Sequence, residues 1–215
     1  MIYVSPSLLS SNLSDLNSEM KNLVLNGADF AHVDVMDGCF VNNIAFGPSF
    51  VSSLKKCSSL PLDVHLMINK PIKYIDKFIE AGSEYITIHV ETITTEEFDI
   101  IEKKVHDNNL NLGITLRPST SLETIYPYLD KVDLILVMSV EPGFSGQKFI
   151  PSSLNRLDTL NKLRKENNYK YLLEIDGGVD NTNFKDCINY GVDIIVSGSY
   201  LFSGNMKEKI KEFKK

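Results

Sequence analysis

The sequence contains few cysteines and shows no cysteine pattern. Its three cysteines, Cys39, Cys57 and Cys187, are odd in number and lack paired spacing. This argues against a disulfide framework and against a thiolate metal site of the zinc-finger kind. Free thiols are typical of a reducing compartment, so we expect the protein to work in the cytoplasm.

Long apolar runs and runs of one charge are also missing. No segment approaches the roughly 20 apolar residues of a membrane span, and the N-terminus MIYVSPSLLSSN has no positive stretch before a long apolar one. The net charge is -6, and acidic and basic residues are interspersed along the chain without a basic run. The sequence therefore shows no positive patch that would attract nucleic acid or an anionic membrane. We expect neither as a partner, and an anionic ligand must be attracted by local groups.

Short runs of branched apolar residues recur along the chain, each followed by a stretch with helical periodicity. This alternation is typical of parallel strands joined by crossover helices. The predicted strands are Tyr3–Leu8, Phe30–Asp34, Leu62–Leu66, Tyr85–His89, Leu112–Leu116, Leu134–Ser139, Tyr171–Asp176 and Asp193–Ser197. The main predicted helices are Leu13–Asn26, Ile72–Ala81, Thr95–Asn108 and Pro151–Asn167.

Three glycines, Gly27, Gly82 and Gly191, each end a predicted helix shortly before a new strand, which indicates repeated strand–helix units. Without a Pro/Gly/Ser-rich linker, the pattern predicts an α/β fold: a single (β/α)8 TIM barrel over residues 1–215, with a parallel eight-stranded barrel. The alternative is an open doubly wound sheet. The first strand lacks the G-x-G-x-x-G turn of such sheets, and no nicotinamide or flavin cofactor is indicated.

Polar residues close several of these apolar strands, at the end of a barrel where active sites lie. Two imidazoles and two carboxylates, from His32, Asp34, His65 and Asp176, form a ligand set for one divalent metal ion. Zn²⁺ fits first, with Mn²⁺, Fe²⁺ and Co²⁺ as alternatives. Each residue alone could instead be a hydrogen-bonded core group, but their joint placement favours a site. His106 lies on a polar helix, and we expect it to be merely solvated.

Glycine-rich loops follow the last three predicted strands. Glycines allow backbone N–H groups to crowd around an anion, and the segment Ser199–Phe202 is predicted to add a short helix N-terminus. These loops contain no Lys or Arg, so the predicted phosphate site relies on backbone amides; simple tight turns are the alternative. Met36, Met67 and Met138 are predicted to line an apolar part of the same cavity.

Four segments together resemble ribulose-phosphate 3-epimerases. They are HVDVMDGCFVNN from His32, LDVHLM from Leu62, VMSVEPGFSGQKF from Val137 and DGGV from Asp176, within a resemblance that runs from Ser5 to about Phe202. The resemblance implies a metal-dependent isomerase of the pentose phosphate pathway. It would invert C3 between D-ribulose 5-phosphate and D-xylulose 5-phosphate, and we expect a homo-oligomer.

The resemblance also implies residue roles. Asp34 and Asp176 would transfer the proton on opposite faces of C3, Asp34 starting as the ionised base and Asp176 as the protonated acid. His32, Asp34, His65 and Asp176 would hold the metal, which stabilises the enediolate, and Ser7 and His65 would contact the substrate. The phosphate loops would be Gly143, Phe144, Ser145, Gly146, Gly177, Gly178, Gly198 and Ser199.

Asn42, Arg117 and Glu141 depart from the usual pattern of that family, which bears on substrate identity because loop residues decide which sugar fits. Alternatives are a D-allulose-6-phosphate 3-epimerase, suggested by the segment from Ile88 to Ile93, and a non-catalytic barrel that binds a phosphosugar. A Schiff-base aldolase would need an inward-facing Lys at a strand end, and no predicted strand end has one.

Overall fold

The computed structural model describes all residues, Met1–Lys215. Nine strands and eight α-helices alternate along the chain. The strands are β1 (Tyr3–Pro6), β2 (Ala31–Asp37), β3 (Ile44–Ala45), β4 (Leu62–Met67), β5 (Tyr85–His89), β6 (Asn111–Leu116), β7 (Leu134–Met138), β8 (Leu172–Asp176) and β9 (Ile194–Ser197). The helices are α1 (Leu16–Asn26), α2 (Pro48–Cys57), α3 (Ile75–Ala81), α4 (Thr95–Asp107), α5 (Ser153–Asn167), α6 (Phe184–Asn189), α7 (Ser199–Phe202) and α8 (Met206–Phe213). None of these helices has the length and apolar character that crossing a bilayer requires.

The strands form one sheet in the order β1-β9-β8-β7-β6-β5-β4-β2-β3. All neighbours pair in parallel except β3, which pairs antiparallel with β2. β1 and β2, the first and last strands of the parallel series, also contact each other. A single parallel bridge joins Ser7 to His32, and the amide of Asp29 donates to the carbonyl of Val4 at 3.0 Å. The sheet is therefore curled and mostly parallel, and the predicted α/β fold is confirmed at that level.

Each of the eight predicted strands is present within a few residues of its predicted bounds. The second strand runs on to Asp37, and the two-residue β3 was not predicted because it is too short to show a period of two. The predicted helix Ile72–Ala81 is two pieces, a 3-10 turn over Pro71–Lys73 and α3, because Tyr74 between them has ψ near -11° and φ near -120°.

Capping residues explain other helix boundaries. The predicted helix from Leu13 begins at Leu16, because the side chain of Asp15 accepts from the amide of Ser18 at 3.2 Å. Gly27 and Gly82 end α1 and α3 with φ of 85° and 92°, a left-handed conformation that favours glycine. Both predicted helix stops are confirmed.

Alternation along the strands decides which side chains face the inside of the curled sheet. On β7, Leu134, Leu136 and Met138 belong to a small inner cluster, whereas Ile135 and Val137 pack in the large core between sheet and helices. On β2, Val33 and Val35 likewise belong to the large core. By the period of two, His32, Asp34 and Met36 therefore face inward.

His106 is more than solvated. Its Nδ1 lies 2.8 Å from Glu102 Oε1 on the same helix, and its Nε2 lies 2.9 Å from Asp133 Oδ2 before β7. Burial favours neutral His106, but the two carboxylates outweigh it and raise its pKa above the ordinary value. The expectation of a merely solvated His106 was wrong, because its second partner lies far away in sequence and comes close only in the fold.

Candidate active site

Four side chains from three strands meet at the carboxyl end of the sheet. His32 and Asp34 come from β2, His65 from β4 and Asp176 from the last position of β8. One ligand atom from each of the four lies within 4.8 Å of the others. The structure therefore brings together all four residues of the predicted metal set.

The environment of His32 calls for a positive charge in the site. Its Nδ1 lies 2.6 Å from Asp63 Oδ2, so a neutral His32 donates there and leaves Nε2 as a bare lone pair. That Nε2 is buried without a hydrogen bond, 3.3 Å from Asp34 Oδ1 and 3.9 Å from Asp176 Oδ2. Burial would lower the pKa of His32, but the carboxylates of Asp63 and Asp34 outweigh burial and raise it well above the ordinary value, so a metal-free His32 takes up a second proton. A metal cation among these groups would supply the same positive charge and use the Nε2 lone pair. The residues present thus fit a divalent metal with mixed nitrogen and oxygen ligands.

The two carboxylates differ in proton affinity. Burial would raise the pKa of Asp34, but His32 and His65 outweigh burial and lower it below the ordinary value. Burial raises the pKa of Asp176 to about 7, and the neighbouring charge of Asp34 acts in the same direction. Asp34 is therefore ionised at neutral pH, while Asp176 holds a proton for part of the time.

A cleft opens above this cluster. Asp34 and Asp176 line it, together with Ser7, whose Oγ donates to Asp34 Oδ2 at 2.7 Å. The cleft is also lined by Met36, Met67 and Met138, which confirms the predicted apolar lining. His32 and His65 are fully buried and do not line the cleft.

The predicted phosphate loops border the same cleft. Every residue of the set lines it: Gly143, Phe144, Ser145, Gly146, Gly177, Gly178, Gly198 and Ser199. Gly178 has φ of 64°, and a Cβ there would lie 2.6 Å from the backbone nitrogen of Phe149. Gly198, the N-cap of α7, has φ of -104°, which other residues also adopt. Glycine is needed there for lack of space, because an added Cβ would lie 2.5 Å from Ser10 Oγ.

Several residues near the ligands were not predicted as site residues. Asp63 binds His32, and Glu174 on β8 is fully buried with both carboxylate oxygens unpaired. Burial, then the charge of Asp63, raises the pKa of Glu174 well above its ordinary value. His89 lies 2.9 Å from His65. The sequence carried a signal for two of these residues, because side chains two positions apart on a strand face the same side. Asp63 precedes His65 by two residues, and Glu174 precedes Asp176 by two.

Of Asn42, Arg117 and Glu141, which the sequence comparison singled out for substrate identity, only Glu141 lines the cleft. Asn42 is exposed in the turn between β2 and β3. The guanidinium of Arg117 lies over the ring of Phe40, 4.1 Å from its centroid, and donates to the Phe40 carbonyl. Arg117 thus acts on the surroundings of the cleft rather than on its wall.

Solved structures with the same fold are related only distantly in sequence. The 3-keto-L-gulonate-6-phosphate decarboxylase of Vibrio cholerae O1 biovar El Tor superposes with a TM-score of 0.74 at 14% identity, covering 99% of this chain and 95% of that one. The 3-hexulose-6-phosphate synthase of Salmonella typhimurium gives 0.74 at 15% identity, covering 99% and 96%. These likenesses show the fold alone.

Sequence relatives are much closer. The chain is 39% identical over 204 residues to the ribulose-phosphate 3-epimerase of Treponema pallidum (strain Nichols), covering 95% of this chain and 93% of the relative. Identity to the Bacillus subtilis (strain 168) ribulose-phosphate 3-epimerase is 38% over 210 residues, covering 97% and 96%. The chloroplastic ribulose-5-phosphate-3-epimerase of Arabidopsis thaliana is 41% identical over 214 residues, covering 99% of this chain and 76% of the relative. A model of the ribulose-phosphate 3 epimerase family matches residues 3–202. The chain belongs to the ribulose-phosphate 3-epimerase family.

Proposed function

We propose that this protein interconverts D-ribulose 5-phosphate and D-xylulose 5-phosphate by inverting C3, a step of the pentose phosphate pathway. The observation that carries the proposal is the pair Asp34 and Asp176 at the floor of one cleft, with its glycine loops, in a chain whose relatives are named for this reaction. The relatives do not favour the D-allulose 6-phosphate alternative. The intact carboxylate pair argues against a non-catalytic phosphosugar-binding barrel.

Inversion at C3 requires a proton to leave one face of the carbon and another to arrive at the opposite face. Asp34 on β2 takes the proton from the carbon next to the C2 carbonyl, because its low pKa keeps it ionised. Asp176 on β8, with a pKa of about 7, delivers a proton to the other face. Ser7 holds the base by donating to Asp34 Oδ2, and the reverse reaction exchanges the two roles.

We propose one divalent metal ion, Zn²⁺ first, held by His32, Asp34, His65 and Asp176. When bound, such an ion supplies Lewis-acid stabilisation for the negative charge that develops on the two oxygens of the enediolate. The bare Nε2 of His32 supports this assignment. Substrate contacts are proposed for Ser7, which lines the cleft, and for His65 from beneath it.

The substrate phosphate is proposed to bind the amides of the glycine loops and the N-terminus of α7. Glycines at positions 178 and 198 leave space where a Cβ would clash with neighbouring atoms, which supports close backbone approach to an anion. Binding energy at the phosphate can then be used to hold C3 between the two carboxylates.

We also propose that the eight parallel strands close into a barrel that is a single domain over residues 1–215. The Ser7–His32 bridge between β1 and β2 supports closure, and one core cluster of 45 buried residues supports a single domain. A homo-oligomer is proposed as well, supported by the exposed apolar side chains of Leu25 and Ile44. The three free cysteines support a reducing compartment, the cytoplasm.

Substrate choice tests the function directly. We expect kcat/KM for D-ribulose 5-phosphate to exceed that for D-allulose 6-phosphate, because the relatives are named for the pentose, and metal analysis should find one divalent ion per chain. The assay follows formation of each epimer with purified protein. Equal or better turnover of the hexose phosphate would contradict the pentose phosphate as substrate but would still support inversion at C3.

Phosphate binding is tested by Gly198→Val. A branched side chain would meet Ser10 and block the approach of the phosphate to the backbone, so KM for D-ribulose 5-phosphate should rise by roughly 10-fold or more while metal content stays normal. Gly47→Ala is the matched control, because a Cβ there meets nothing within 4 Å. An unchanged KM in Gly198→Val would remove the α7 N-terminus from the phosphate site.

A further inference from the structure

Two residues outside the ligand set, His89 and Glu91, form a hydrogen-bonded relay with His65. His65 Nε2 lies 2.9 Å from His89 Nε2, and His89 Nδ1 lies 3.3 Å from Glu91 Oε2. Both imidazoles are fully buried, and they meet edge to edge with centroids 5.0 Å apart and ring planes inclined by 25°. Nothing in the proton transfer proposed above uses these contacts.

The Glu91 end of the relay is fixed by the loop after β6. Glu91 Oε1 accepts from the backbone amide of Arg117 at 2.7 Å and from Thr120 Oγ1 at 2.5 Å. Burial would raise the pKa of Glu91, but hydrogen bonds from His89, Thr120 and Arg117 outweigh it and lower the pKa to about 2. An ionised carboxylate only accepts hydrogen bonds, so Glu91 requires a proton on Nδ1 of His89.

The direction of the remaining hydrogen bonds follows from that end. A neutral imidazole carries one N–H, so His89 Nε2 is an acceptor, and the proton between the two Nε2 atoms belongs to His65. A neutral His65 then has a bare lone pair on Nδ1. That atom lies 3.3 Å from Asp34 Oδ1, on the side of the candidate metal site. With its proton on Nε2, His65 cannot donate from Nδ1 to Asp34, and a cation between Nδ1 and the Asp34 carboxylate would satisfy both groups.

Aromatic packing holds the relay in place. The ring of Phe40 lies 4.6 Å from the His89 ring, measured between centroids. The guanidinium of Arg117 lies over the Phe40 ring, 4.1 Å from its centroid. Arg117 therefore contacts the relay directly through its backbone amide, which donates to Glu91, and indirectly through its side chain, which packs on Phe40.

We propose that His89 and Glu91 are positioning residues, which set the tautomer of His65 so that Nδ1 offers its lone pair to the bound cation. The proposal deepens the proposed function and rests on it for the identity of the metal site. Partners of this kind orient metal-binding histidines in other proteins, and their loss typically weakens metal binding by about 10- to 100-fold.

The test measures Co²⁺ affinity by competition with a chelator in the full chain. We expect His89→Phe, which keeps a ring but loses both hydrogen bonds, to raise the Kd for Co²⁺ by about 10- to 100-fold. His89→Gln should recover part of the affinity, since its amide oxygen accepts from His65 Nε2. The matched controls are His106→Phe and Glu102→Gln, a second His–Glu pair with Nδ1 to Oε1 at 2.8 Å on α4; both should bind Co²⁺ as the parent does.

A second readout covers the case in which His89→Phe does not fold. In the Zn²⁺-loaded parent, ¹⁵N NMR of labelled histidine should place the His65 proton on Nε2, and Glu91→Gln, which keeps size but removes the charge, should weaken Co²⁺ binding. Parent-like Co²⁺ affinity in folded His89→Phe, or a proton on Nδ1 of His65, would overturn the relay. A parent that fails to epimerise ketose phosphates, while the variants still lose Co²⁺ affinity, would support the relay and refute only the reaction.

Discussion

Asp176→Asn and Asp34→Asn should each lower kcat for epimerisation by at least about 10²- to 10⁴-fold, the usual contribution of a positioned acid or base. An amide neither takes the C3 proton nor delivers one, and each change also removes a metal-ligand oxygen. Steady-state kinetics with D-ribulose 5-phosphate measures the loss. We expect the largest effect in the forward direction for Asp34→Asn, because Asp34 is the ionised member of the pair.

The control for both variants is Asp158→Asn, a change on α5 that removes only a surface ion pair with Lys162. Its kcat should match the parent, since such exposed pairs contribute little. Asp176→Asn loses both a proton carrier and a metal-ligand oxygen, and measuring its metal content separates these two causes of the lower kcat. Near-normal kcat in either site variant would refute the assignment of the proton-transfer pair.

Strong chelation should remove nearly all epimerase activity while the protein stays folded. Lewis-acid stabilisation of the developing charge contributes several kcal/mol, so its loss lowers the rate by about 10³-fold or more. The four ligands lie at the strand ends, and the core cluster of 45 buried residues lies between sheet and helices. Far-UV circular dichroism should therefore change little as activity falls, and added Zn²⁺ or Co²⁺ should restore activity.

Two other outcomes would contradict this picture. Full activity after the metal has been removed, as confirmed by metal analysis, would make the His and Asp cluster a hydrogen-bonded core group without a cation. Loss of the helical signal together with activity would show that the metal stabilises the fold.

The strands were predictable because their burial is visible in the sequence. On β4 and β7 every residue is buried: β7 is a continuous apolar run, and the only polar residues of β4 are Asp63 and His65. β3 has an exposed and a half-buried residue in only two positions, so no pattern indicates it. The helix break at Tyr74 depends on a local backbone conformation rather than on the spacing of apolar residues.

The four candidate ligands were predictable for a topological reason. Parallel strands of one sheet place their carboxyl ends at one edge, so polar residues at strand ends converge wherever the strands lie in the sheet. The residues that hold the ligands depend on register, which the sequence does not contain. In β2 and β4, His32 pairs with Asp63 and Asp34 with His65. The relay through His89 and Glu91 likewise depends on neighbouring strands and on the loop at Arg117.

Solvent deuterium incorporation tests the central claim most directly. When the parent converts D-ribulose 5-phosphate in D₂O, the proton removed by one aspartate is not the one returned by the other. The account predicts that D-xylulose 5-phosphate carries deuterium at C3 from the first turnovers, ahead of any label in the remaining substrate, by mass spectrometry and ¹H NMR. Product formed at the normal rate with protium at C3 would contradict proton transfer by Asp34 and Asp176.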